Sequence, residues 1–128
     1  MGEAATAAGP ARRGRIETLL RADLARLGRA GLAFELCLSD AVWRRAMLAA
    51  GCPAYVARLA SPTARRGTRG KLGMATICHF RHKHTAVVYV RTRGRTWEEI
   101  VETVHHEALH LARPSLSHRR IEAVLHGA

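Results

Sequence analysis

The sequence predicts an α+β fold, and three stretches carry that prediction. Thr96 to Leu111 (TWEEIVETVHHEALHL) repeats apolar residues every three to four positions behind a Thr96/Glu99 capping box, the pattern of an amphipathic helix with a fixed start. Thr85 to Arg91 (TAVVYVR) is rich in β-branched and aromatic residues, which suits a buried strand. Arg15 to Arg29 places Ile16, Leu19, Leu20, Leu24 and Leu27 on one stripe and arginines over much of the rest, giving a second amphipathic helix. The 128 residues suffice for one domain with one hydrophobic core, and 48% apolar residues with four prolines favour a folded chain over a disordered one.

Taken in order, residues 1–11 read as a disordered leader ahead of a single domain over 12–128. The leader has no apolar run of the kind a signal peptide needs. Gly28 and Gly31 stop the first helix. Leu32 to Leu38 (LAFELCL) suits a short, largely buried strand. Ser39 and Asp40 are N-cap residues for a helix from Ala41 to about Ala50, which Gly51 and Pro53 end. Ala54 to Ala60 has the composition of a further helical turn or two.

Ser61 to Gly73 is a basic, glycine-containing loop. Its Arg65, Arg66, Arg69 and Lys71 form either a phosphate-contacting nucleic-acid arm or solvated charge, and no aromatics interleave with them for base stacking. Met74 to Phe80 and Thr85 to Arg91 read as an antiparallel hairpin around the RHKH turn at 81–84. His79, His82 and His84 match no closed zinc spacing and read as an exposed turn. The strand Thr85 to Arg91 is expected at a sheet edge, where main-chain hydrogen bonds can hold an extended peptide. Pro114 closes the helix at 96–111, and Ser117 caps a final helix reaching about His126.

Composition narrows the function classes. Cys37, Cys52 and Cys78 are odd in number and form no C-x-x-C pair, which speaks against a disulfide framework and for a reducing compartment. No apolar run is long enough to span a membrane, so a cytoplasmic protein is expected. The net charge of +11, from 21 Lys and Arg against 10 Asp and Glu, favours polyanionic partners, nucleic acid above all. An arginine-rich composition with solvated side chains accounts for the same number.

The chemistry concentrates in His106-Glu107-Ala108-Leu109-His110, an H-E-x-x-H pattern inside the helix at 96–111. Residues four apart share a helix face, so His106 and His110 can offer two imidazole nitrogens to one zinc ion. Glu107 is placed to act as general base toward the water such an ion activates. A catalytic zinc usually has three protein ligands. Downstream, the metzincin continuation fails, because Arg113 and Leu116 stand where it needs Gly and His. His118, Glu122 and His126, spaced by four on the final helix, remain as candidates for the third ligand.

HEALHLARPSLSHRRIEAVLHG resembles the small gluzincin-type metallopeptidase domains called minigluzincins, and related short proteins with HEALH, a proline-containing loop and a helix holding a hydrophobic-Glu pair. The likeness covers roughly Thr85 to Ala128. It implies a zincin-like domain: a small β-sheet with N-terminal helices, an active-site helix and a C-terminal helix carrying the third ligand, with Glu122 of the Ile121-Glu122 pair in that place. His126-Gly127 also resembles the HG pair of SprT-like metalloproteases, which would make His126 the ligand, and other short relatives point to His118. The reading that follows is a zinc-dependent metallopeptidase acting on a peptide or protein substrate. The alternatives are a basic DNA- or partner-binding module with a structural or decayed zinc site, a DNA-associated SprT-like protease, and a metal-dependent hydrolase of another substrate.

Overall fold

A computed structural model of the chain describes residues 10–52, 73–78 and 85–126. They form α1 (Pro10–Arg26), β1 (Phe34–Cys37), α2 (Asp40–Ala49), β2 (Gly73–Cys78), β3 (Thr85–Val90), α3 (Trp97–Ala112) and α4 (His118–His126). Among the described residues four helices and a three-stranded sheet make an α+β fold. Two compact units are present: Ala33–Arg91 holds the sheet and α2, while Met1–Leu32 and Thr92–Ala128 together hold α1, α3 and α4. No helix among the described residues is long and apolar enough to cross a membrane.

In the unit Ala33–Arg91 the strand order is β1-β3-β2. β1 pairs parallel with β3, from Phe34↔Ala86 to Cys37↔Tyr89. β2 pairs antiparallel with β3, from Gly73↔Val90 to Cys78↔Thr85, which is the expected hairpin. The expectation of β3 as an edge strand is corrected: it is the central strand, with partners on both sides. The physical reason lies in its composition. Ala86, Val87, Val88, Tyr89 and Val90 are all at most 5% exposed, and a continuous apolar run suits a strand buried on both faces rather than an edge.

Helix α2 starts as expected. Ser39 Oγ accepts from the Val42 N–H at 3.2 Å, and Asp40 supplies negative charge to the first turn and pairs with Arg44. One face of α2 buries Trp43 and Met47 in a cluster with Cys37, Cys52, Val87 and Tyr89. Cys37 and Cys52 are thus buried thiols outside any disulfide, and burial pushes the Cys52 thiol pKa up. The expected turns at 54–60, the basic loop up to residue 72 and the RHKH turn lie outside the described residues.

In the other unit α1 begins at Pro10, five residues ahead of the Arg15 expected from the apolar stripe and within the stretch expected as a leader. Pro10 is the first helical residue, where a missing N–H costs nothing. Ile16, Leu20 and Leu24 are at most 1% exposed, whereas Leu19 and Leu27 are half-buried. Gly28 ends the helix with φ +83, a left-handed conformation that glycine adopts without strain.

On α3 the buried stripe is Ile100, Val104, Ala108 and Leu111. Each such side chain contributes about 1.5–3 kcal/mol on leaving water. Three ties show that α1 and α3 run in the same direction. The Arg15 guanidinium lies 4.0 Å over the Trp97 ring near both N-termini. Asp23, in the last turn of α1, meets His105 in the middle of α3. Arg113 Nη1 donates to the Leu27 carbonyl at 3.2 Å beyond both C-termini. Helix α4 starts where expected, with Ser117 Oγ accepting from the Arg120 N–H at 3.2 Å, and buries Ile121.

Candidate metal centre

The site is built on α3, whose start is fixed twice over. Thr96 Oγ1 accepts from the Glu99 N–H at 3.2 Å, and Glu99 Oε1 accepts from the Thr96 N–H at 2.8 Å, the reciprocal capping box. Arg95 Nη2 then donates to Thr103 Oγ1 at 2.7 Å and to the Glu99 carbonyl at 3.0 Å, bracing the first two turns. Gly94, at φ +70, makes the turn that brings Arg95 into place. At the other end the Arg113 N–H closes on the Leu109 carbonyl at 2.8 Å.

On this braced helix His106 and His110 are half-buried and converge. Their Nε2 atoms are 3.1 Å apart, with ring centroids at 4.8 Å and an interplanar angle of 59°. Two nitrogens bound at about 2.0–2.1 Å to one tetrahedral zinc stand roughly 3.3 Å apart. The pair therefore fits two adjacent ligand positions with a shift of a few tenths of an ångström, given that metal–ligand length. Glu107 is 4% exposed. Its Cα lies about 100° around the helix from His106 and about 60° from His110, on one flank of the imidazole face.

The third ligand is a different matter. Among the described residues no group of three His, Cys, Asp or Glu side chains is assembled for a metal ion. Positions 118, 122 and 126 all lie on α4, but their side chains are outside the described residues. The three positions lie at different angles on the α4 backbone. Ile121 marks the buried face, with Arg119, Arg120 and Val124 exposed. Residues 118 and 122 lie about 60° and 100° around the helix from Ile121, and residue 126 about 140°. Arg65, Arg66, Arg69 and Lys71, the candidate nucleic-acid residues, also lie outside the described residues.

Two residues of this region escape a motif reading. Asp23 on α1 is 3% exposed and reaches His105, the residue just before the motif, with Oδ2 2.5 Å from His105 Nδ1. The available signal was an acidic residue on the apolar side of α1. Compared with protein-family models, with curated proteins and with solved structures, the chain matches none.

Proposed function

We propose that the chain is a zinc-dependent metallopeptidase. His106 and His110 would supply two of the ligands, and Glu122 the third, with His118 and His126 as the alternatives on the same helix. The convergence of the two Nε2 atoms to 3.1 Å on a doubly braced helix is the observation that carries this reading.

Zinc in this place supplies Lewis acidity toward the scissile carbonyl and makes a nucleophile available from water near neutral pH. Glu107 acts as the general base, takes a proton from the attacking water and delivers it to the leaving amine nitrogen. His106 and His110 move no proton; their part is to hold the ion. The zincin resemblance of the stretch from Thr85 onward agrees with these roles.

The test is elemental analysis of the purified, tag-free protein, paired with cleavage of a mixed peptide library. A single zinc per chain and cleavage that vanishes in Glu107→Gln, with zinc retained, is the expected result. No bound zinc, and none taken up on addition, would overturn the reading. A second reading rests on charge: Glu35 and Asp40 are the only acidic residues in the sequence between Ala33 and Arg91. A basic module of that kind binds DNA with steep salt dependence whether or not Glu107 is intact, and undiminished DNA binding by Glu107→Gln without any proteolysis would favour it.

A further inference from the structure

The apolar stripe of α1 is interrupted at one place. Ile16, Leu20 and Leu24 are buried aliphatics, and Asp23, on the same side, is equally withdrawn from solvent at 3% exposure. Both its oxygens are occupied: Oδ1 accepts from Arg26 Nη2 at 2.8 Å, and Oδ2 meets His105 Nδ1. A leucine would fill that place, because a carboxylate withdrawn from water costs free energy that its hydrogen bonds at best offset. Stability therefore does not account for the pair.

An angular choice does. His105 and His106 are consecutive, and a helix turns about 100° per residue. Turning α3 by one residue would put His106 against Asp23 and carry the His106/His110 face away from its present direction. Apolar packing discriminates between these settings mainly at one position. Val101, Leu109 and Ala112 stand one residue on from Ile100, Ala108 and Leu111, with Leu109 and Ala112 themselves buried, and only Val104 would give way to a polar residue, His105. A buried carboxylate accepting from one particular imidazole does discriminate, as a single polar residue fixes register in a helix pair.

We propose that Asp23 and His105 are positioning residues that set the rotation of α3 about its axis and thereby aim His106 and His110 at the metal. The inference rests on the metal-site reading above. In the present setting His105 and Glu107 lie about 200° apart, on opposite flanks of the imidazole face. The pair thus holds the helix from the side away from the general base and takes no ligand out of service.

Cobalt(II) titration of the full-length protein tests this, with the visible absorption of the bound ion and the thermal midpoint as readouts. The informative variant is Asp23→Leu/His105→Leu, with Asp23→Asn as a milder second. The expected result is a thermal midpoint unchanged or raised in the double variant, with cobalt affinity about tenfold or more weaker in both, the size seen when groups supporting metal ligands are removed. A merely structural pair would change stability and leave the affinity of the folded protein alone. Wild-type cobalt affinity and spectrum in both variants would overturn the positioning role and leave the metal site standing. If the double variant fails to fold, Asp23→Asn decides. A wild-type chain that takes up no cobalt would overturn the metal site, and the positioning role with it.

Discussion

His106 Nε2 and His110 Nε2 stand 3.1 Å apart across one turn of α3. A hydrogen bond between two neutral rings needs one N–H and one lone pair, whereas a shared cation needs both lone pairs. His106→Ala and His110→Ala are therefore expected to abolish zinc uptake, each alone. Alanine at 118, 122 and 126, one at a time, should abolish it at one position only. Zinc added to the wild-type protein should raise its thermal midpoint, because a ligand bound only by the folded state stabilises it by about 2.7 kcal/mol at a hundredfold excess over Kd. Equal midpoints with zinc and with chelator would contradict the site.

The Thr96/Glu99 box fixes where α3 begins. Thr96→Ala removes an acceptor from the Glu99 N–H and should cost about 1 kcal/mol. In a chain of this size that is a loss of a few degrees in thermal midpoint, readable by circular dichroism. Thr96→Ser should recover most of it.

Parallel pairing of β1 with β3 rests on four residues, of which Leu36 is 1% exposed. Leu36→Ala is expected to destabilise by about 2–5 kcal/mol through lost transfer and a residual cavity. Urea unfolding followed by fluorescence checks it. A cost below about 1 kcal/mol would mean that the site collapses freely, contrary to close packing.

Burial raises the Cys52 thiol above its ordinary 9.0. The folded chain therefore keeps a proton that the unfolded chain gives up first. The stabilisation is complete below the unfolded value and declines as pH rises through the raised one. As pH rises above the ordinary thiol value the wild-type protein should lose stability more steeply than Cys52→Ala. At neutral pH the folded protein should resist alkylation at Cys52 until denaturant is added.

What the sequence makes legible is what neighbours in sequence decide. Thr96 and Glu99 are three residues apart, as are Ser39 and Val42, and both caps form as read. The imidazole pair is one turn apart and converges. What escapes is pairing between distant segments. The continuous apolar run of TAVVYV marks a strand covered on both faces, but nothing local names β1 as the segment that takes its second side. Pro10 and Ala11 carry no apolar stripe, so nothing in them marks the start of α1. Asp23 and His105 are individually unremarkable letters that acquire meaning only when α1 lies beside α3.

That last distance has a temporal side. Asp23 and His105 are separated by 82 residues. A ribosome adding about 5–20 residues per second needs roughly 4–16 s to cover them. During that interval Ile16, Leu20 and Leu24 have been synthesised while α3, the helix they await in their own unit, has not. The nascent chain's demand for chaperones should thus peak once α1 has emerged, and slowing translation between residues 33 and 91 should lower the yield of soluble protein more than slowing it afterwards.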